Sequence, residues 1–256
     1  MSGGMECRIF GCIDNTTLTP TDYERTVEEF CRRTAEMRLG DGTRVAAVCV
    51  YPRFVITARR ALQGSGIKVA AVAGAFPHGQ LPVELKVEEV RRVVGDGADE
   101  VDVVINRGLL LAGFEDEVRD EVAAMKEACQ KRALKVIIEC CDLPTPTLLH
   151  KASMLAIEGG ADFIKTSTGK GKGGATMEAA RVMLEEIAAY RERTGHCVGF
   201  KAAGSIRTTG EALGYAELAQ GIMGEGYIAS ETFRIGASSL TEGLYKQIDI
   251  QPTARV

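Results

Sequence analysis

Eight short apolar runs, each followed by a longer amphipathic stretch, recur along this 256-residue chain, and that alternation constrains the fold more than any other feature. The runs predict strands over Ile9–Ile13 (the weakest), Val45–Val50, Lys68–Ala73, Glu100–Ile105, Lys135–Cys140, Asp162–Thr166, Val198–Ala202 and Phe233–Gly236. Between them lie helical patterns, for example Asp22–Arg38, Pro82–Val94, Glu115–Arg132, Pro144–Glu158, Ala175–Arg193, Thr209–Gln220 and Ser239–Ile248. Several end at a glycine, as helices commonly do: Gly40, Gly95, Gly159, Gly195 and Gly221. Strand centres lie roughly 25 to 36 residues apart, the length of a strand, a crossover helix and two short loops. Continuous apolar runs such as Val45-Ala-Ala-Val-Cys-Val50 suit a parallel sheet covered by helices. Eight such units predict a closed (β/α)8 TIM barrel, with an open, doubly wound sheet as the rival. No low-complexity linker divides the chain, so residues 1–256 read as one domain.

Composition narrows the function. The net charge of -4 argues against a nucleic-acid surface, although a phosphorylated small molecule needs only a local positive pocket. No apolar run approaches the roughly 20 residues that span a bilayer. Glu6 and Arg8 interrupt the stretch where a signal peptide would be apolar, so a cytoplasmic protein is expected. The eight cysteines sit mostly in apolar contexts, among them Cys31, Cys49, Cys129 and Cys197, and read as reduced core residues. Cys140 and Cys141 are adjacent, a spacing that matches neither a redox pair nor a zinc site. His78, His150 and His196 lie far apart, which favours chemistry without a metal.

In a parallel barrel the C-terminal ends of the strands and the loops beyond them form the active face. Lys68 and Lys135 begin their apolar runs and read as solvated charges at the opposite rim. Lys165, in Asp162-Phe-Ile-Lys165, and Lys201, in Val198-Gly-Phe-Lys201, end theirs. Alternation points Lys201 the same way as Gly199, whose missing side chain would leave room for a long one. Two ammonium groups in a partly dry cavity lower at least one pKa, giving the neutral amine that attacks a carbonyl. Asp102, inside Glu100-Val-Asp-Val-Val-Ile105, is either a buried ion-pair partner or a proton-transfer group beside the lysines. Asp14 is either a residue of the active face or a turn-forming aspartate.

Barrels often bind phosphate in the loops after strands seven and eight. Here those slots hold Ala202-Ala-Gly204-Ser205-Ile-Arg207 and Gly236-Ala-Ser238-Ser239-Leu240, rich in glycine and hydroxyl donors. Ser238 or Ser239 alone could be a helix cap, but two such loops in the expected slots favour phosphate. Arg207 is a candidate contributor. Lys170, from the flexible segment Gly169-Lys-Gly-Lys-Gly-Gly174, could reach an anionic substrate, whereas Lys172 reads as a surface charge.

The segment Gly160-Ala-Asp-Phe-Ile-Lys-Thr-Ser-Thr-Gly-Lys170 resembles the Schiff-base lysine signature of the deoxyribose-phosphate aldolases. So do Val198-Gly-Phe-Lys-Ala-Ala-Gly-Ser-Ile-Arg-Thr208, Gly97-Ala-Asp-Glu-Val-Asp-Val-Val104, Phe76-Pro-His-Gly79, Val50-Tyr-Pro-Arg-Phe54, Lys135-Val-Ile-Ile-Glu139 and Ile235-Gly-Ala-Ser-Ser-Leu240. The resemblance covers nearly the whole chain in the family's order. It implies a (β/α)8 fold and reversible cleavage of 2-deoxy-D-ribose 5-phosphate to D-glyceraldehyde 3-phosphate and acetaldehyde, with no cofactor. By it, Lys165 forms the imine, Lys201 is the second lysine that tunes it, and Asp102 is the proton-relay carboxylate. Asp14, Thr16 and Lys170 match positions near the sugar hydroxyls; Gly204, Ser205, Ser238 and Ser239 fall in phosphate loops. A homodimer is suggested by family analogy alone. The other readings are a Schiff-base aldolase for another sugar phosphate and a silent, aldolase-like binding or scaffold protein.

Three departures stand out. Ser205 replaces a second glycine of many relatives, so its Cβ could perturb the phosphate cradle or its hydroxyl could add a donor. Ala202-Ala203 replaces a common Pro-Ala. Some relatives end in a tyrosine that assists a proton step; this chain ends Gln251-Pro-Thr-Ala-Arg-Val256, with its last tyrosine at Tyr245, so that contribution to turnover is not carried over.

Overall fold

Successive side chains of a strand face opposite ways, so each barrel strand needs apolar residues toward the helices and shorter or paired residues toward the axis. The computed structural model describes residues 2–250; the tail Gln251–Val256, and the expectation attached to it, lie outside the described residues. The strands are β1 (Ile13–Thr16), β2 (Ala47–Val50), β3 (Lys68–Val72), β4 (Glu100–Val104), β5 (Ala133–Ile137), β6 (Phe163–Lys165), β7 (Gly199–Ala203) and β8 (Phe233–Ala237). All pair in parallel with their sequence neighbours, and β8 pairs with β1 through Ile13↔Ile235 and Asp14↔Gly236. The sheet therefore closes, which excludes the open rival.

Around it run α1 (Ser2–Gly11), α2 (Glu24–Glu36), α3 (Val55–Ala61), α4 (Val83–Gly95), α5 (Arg107–Leu111), α6 (Glu115–Cys129), α7 (Pro146–Glu158), α8 (Met177–Thr194), α9 (Thr209–Met223) and α10 (Leu240–Ile250). Threonines cap the helices that follow β5, β6 and β7: Thr145, Thr176 and Thr208 each accept a backbone N–H three residues on. Those caps fix where the loops of the upper face end and the helices begin.

Outward residues such as Val48, Val50, Val101, Val103, Ile164, Phe200 and Ile235 join the helices in one large core. Toward the axis the interior divides. Leu18, Ala47, Cys49, Ala70 and Val72 form a small apolar cluster beside β1–β3. The remaining arc holds Asp14, Glu100, Asp102, Lys135, Lys165, Lys201 and Arg234, all buried.

Four expectations change. Ile9 and Phe10 belong to a helix, because a short apolar run suits either element; β1 begins at Ile13, which puts Asp14 inside a strand rather than in a turn. Strand β5 begins two residues early, so Lys135 lies in mid-strand, fully buried, not at a solvated rim. Lys68 does sit at the lower rim, half exposed. Cys197 is exposed in the segment before β7, although all eight cysteines are free. Gly199 does not make room for a lysine, since the ring of Phe163 on neighbouring β6 occupies that space.

That packing yields a test of the barrel floor. A Cβ at Gly199 would be driven into the Phe163 ring, which lies under the guanidinium of Arg234 at 5.5 Å. Gly199→Ala is expected to destabilise by about 2 kcal/mol and lower Tm by roughly 4–8 °C, as overpacking against a confined ring does. Thermal unfolding checks it; an unchanged Tm would contradict the packing.

Candidate active site

The strands bring four cations and three carboxylates into one buried array. The Nζ groups of Lys165 and Lys201 both donate to Oδ2 of Asp102, each at 2.8 Å. Lys201 also donates to Oδ2 of Asp14. Lys135 contacts Asp14 at 2.9 Å, Asp102 at 3.1 Å and Glu100 at 2.6 Å. Arg234 bridges Asp14 at 2.5 Å and Glu100 at 2.7 Å. Lys68 touches Glu100 at 3.0 Å from the half-exposed rim, where water screens it.

Charge balance follows from this geometry. Asp14, Glu100 and Asp102 carry three negative charges, which Lys135, Lys201 and Arg234 neutralise, leaving no unmatched carboxylate for a proton on Lys165. Burial would raise the carboxylate pKa values, yet the surrounding lysines and arginine hold Asp14 and Asp102 well below the usual range and Glu100 at about 2. Burial lowers a lysine pKa, but Asp102 and Asp14 more than offset it at Lys201, and with Glu100 do so further at Lys135; both amines are held above the ordinary value. At Lys165 burial dominates, Asp102 only partly counters it, and Lys201 adds to the lowering, so this amine is held below the ordinary value. Repulsion from Lys201 thus contributes to the lowered pKa of this amine, behind burial.

Above the array opens a cleft of 330 Å³ formed by the ends of β1, β6, β7 and β8. Lys165 reaches it, together with Thr16, Lys170, Gly204, Ser205, Arg207, Gly236, Ser238 and Ser239. Asp14, Asp102 and Lys201 lie beneath without lining it. Ser205, Arg207, Ser238, Ser239 and Lys170 are exposed around the mouth, a concentration of hydroxyls and positive charge suited to an anion. Lys170 donates through Nζ to the carbonyl of Leu18, and Lys172 is exposed at the mouth. Gly236 is the glycine that gives a lysine room: a Cβ there would lie 3.1 Å from Cε of Lys201. Gly204 (φ +88°) passes so close to Gly174 that a side chain on either would strike the other's backbone. Ser205 follows in the left-handed region at φ 63°, the conformation that favours glycine. Its Cβ is accommodated through that strain, and its Oγ packs toward Gly174.

Lys135, Glu100, Arg234 and Gly174 are members of this arrangement that reading the sequence missed. The parity of Arg234 with Gly236 on one strand was an available signal. A larger groove of 640 Å³ lies at the opposite rim among Ile56, Arg59, Gln63, Lys68 and Asp99. Arg59 already pairs there with Asp99 at 3.0 Å, whereas the smaller cleft lies above the buried array. Among the described residues no three His, Cys, Asp or Glu side chains group to hold a metal ion, and no helix is long and apolar enough to cross a membrane.

The chain is similar to known proteins along most of its length. The family model described as DeoC/LacD family aldolase matches residues 12–226. The deoxyribose-phosphate aldolase of Homo sapiens is 40% identical, the match covering 95% of this chain and 80% of the relative. That of Mus musculus is 42% identical with the same coverage. Among solved structures, a deoxyribose phosphate aldolase from Aeropyrum pernix, described as tetrameric, superposes with a TM-score of 0.73 at 26% identity, covering 95% of this chain and 92% of its own. An aldolase called QR15 gives 0.79 at 32% identity, with 95% and 99% covered.

Two outcomes test the site. Reductive alkylation of Lys165 by a small aldehyde, followed against pH, reports its neutral form. Lys201→Leu removes a cation that lowers the Lys165 pKa, so the profile moves to higher pH and the reaction slows several-fold near neutrality; Asp102→Asn removes the carboxylate that raises it, so the profile moves to lower pH. Shifts of the same sign would refute the charge balance. Separately, Ser205→Gly relieves left-handed strain and is expected to raise stability by about 0.5–1 kcal/mol in denaturant unfolding.

Proposed function

The chain belongs to the DeoC/LacD aldolase family, and we propose that it cleaves 2-deoxy-D-ribose 5-phosphate reversibly to D-glyceraldehyde 3-phosphate and acetaldehyde through an imine at Lys165. It is a lyase, a deoxyribose-phosphate aldolase like its curated relatives. The observation that carries the mechanism is the pair of 2.8 Å contacts that place Lys165 and Lys201 on the same oxygen of Asp102.

Neutral Lys165 adds to the C1 aldehyde of the open sugar, and loss of water gives the protonated imine. That cation becomes the fourth positive charge of the array, held against Asp102. Removal of the C3 hydroxyl proton then breaks the C2–C3 bond, and the electron pair flows to the imine nitrogen, leaving a neutral enamine and releasing the aldehyde phosphate. Protonation of C2 and hydrolysis release acetaldehyde and restore the amine. Because Oδ2 of Asp102 faces both amines, a proton can pass between Lys201 and the reacting centre across one carboxylate oxygen. Thr16 and Lys170, which line the cleft, would meet the sugar hydroxyls, with Lys170 also exposed toward the phosphate; Asp14 lies beneath and would act through Lys201. Gly204, Ser205, Arg207, Gly236, Ser238 and Ser239 frame the mouth for the phosphate, where backbone N–H groups and hydroxyls can donate to anionic oxygens.

We read residues 1–256 as one aldolase domain acting in deoxyribonucleotide breakdown in the cytoplasm, a compartment that suits eight unpaired cysteines. The tetrameric Aeropyrum pernix relative supports self-association, with a homodimer as the simplest form.

Acetaldehyde followed by borohydride is expected to leave a stable adduct on the peptide carrying Lys165. Lys165→Arg should lose the adduct and lower cleavage of deoxyribose 5-phosphate about a thousandfold or more. An adduct mapped to Lys201 or Lys135 instead would overturn the assignment.

A further inference from the structure

Glu139 lies just past β5, and neither the array nor the cleft lining includes it. It is 1% exposed and sits in the left-handed region, at φ 54° and ψ 61°. The strain has a local cause. The N–H of Ile138 donates to the carbonyl of Lys165 at 2.8 Å, and that of Cys140 to the carbonyl of Thr166 at 2.9 Å. Two residues on the β5 side are thus matched to one on the β6 side, a bulge whose extra residue is Glu139. Bulges re-aim side chains, and this one turns the carboxylate toward the loop that follows Lys165.

There Oε2 accepts from the N–H of Thr168 at 3.2 Å and from its hydroxyl. Thr168 Oγ1 in turn accepts from the N–H of Lys170 at 3.0 Å, and Lys170 Nζ donates to the carbonyl of Leu18 across the cleft. Behind the carboxylate, Arg107 stands 3.6 Å from Oε2 and pairs with Asp142 at 2.9 Å. The other oxygen, Oε1, is buried without a hydrogen-bond partner and faces Gly171, where a Cβ would lie 3.5 Å away. The far end of the same loop is tied to the same turn: the thiol of Cys141 donates to the carbonyl of Gly174 at 3.2 Å.

We propose that Glu139 is a positioning residue for the phosphate-bearing end of the substrate, setting Lys170 over the cleft mouth through Thr168, with Oε1 facing Gly171 as an acceptor for that glycine-rich loop. A strained backbone and an acceptor without a donor persist where the surroundings hold them for another purpose, and here the chain of contacts leads from Glu139 to the lysine at the mouth. The proposal rests on the aldolase reading of the cleft.

The test compares two substrates on one preparation, 2-deoxyribose 5-phosphate and unphosphorylated 2-deoxyribose. The ratio of their kcat/KM values does not depend on how much of the protein is folded. Glu139→Gln and Glu139→Ala are expected to lower this ratio, about tenfold for the alanine variant, chiefly through KM for the phosphorylated sugar. Acetaldehyde trapping at Lys165 should stay within about twofold of wild type. An unchanged ratio, or equal losses for both sugars, would overturn the positioning role while leaving the aldolase reading intact. Failure of the wild-type protein to cleave either sugar would overturn that reading and the positioning role with it.

Discussion

One oxygen, Oδ2 of Asp102, accepts from the amines of two lysines, and the interior of the barrel is arranged to make that tenable. A carboxylate withdrawn from water between strands is costly by itself, as is each buried ammonium. Here every charge has partners at hydrogen-bonding distance. Asp14 joins Lys135, Lys201 and Arg234, and Glu100 joins Lys135 and Arg234, so the ions hold one another across β1, β4, β5, β7 and β8. Deleting one partner of such an array leaves a buried charge uncompensated, a loss of about 3–5 kcal/mol. The array therefore ties the far sides of the barrel together and sets the protonation state of the groups above it.

The rest of the fold follows from accommodating these long charged side chains. The opposite arc of the interior is filled with small apolar residues, Ala47, Cys49, Ala70 and Val72. Glycine appears where two large groups would otherwise meet: Gly236 beside the stem of Lys201, and Gly199 beside the ring of Phe163. That ring supports Arg234 from below. At the upper rim the same economy of side chains lets Gly174 and Gly204 press together, which joins the loop after Lys165 to the loop after Lys201. The two lysines and the two loops that frame the cleft are thus positioned by one continuous set of contacts.

The barrel was legible because its signal is repeated eight times and each repeat obeys the same period. Lys165 and Lys201 were legible because they end apolar runs, the end that faces the cleft. Lys135 was misread through a shift of two residues: with Leu134 buried outward and Ala133 starting the strand, the lysine moves from the rim to the middle. Asp14 was ambiguous for a related reason, since Ile9 and Phe10 drew the expected first strand into what is a helix. Arg234 follows the parity of Gly236, but a single arginine in a strand carries no sign of the carboxylates it will meet from β1 and β4. Glu139 gave no local signal, because a left-handed glutamate is produced by the pairing of β5 with β6 and not by its own preference.

Three lysines approach Asp102, and their surroundings rank them for attack on a carbonyl. Lys135 meets three carboxylates and Lys201 meets two, so the protonated form of each is stabilised beyond what burial removes. Lys165 meets one, an oxygen it shares with Lys201, and its protonated form is disfavoured by burial and by that neighbour. Access ranks them the same way, since Lys165 lines the cleft while Lys135 and Lys201 lie beneath it. An amine that is neutral but sealed cannot reach a substrate, and one that is open but paired stays protonated. At Lys165, the last residue of β6, access to the cleft and a lowered pKa coincide. Its amine opens on the cleft and, of the three carboxylates in the array, contacts Asp102.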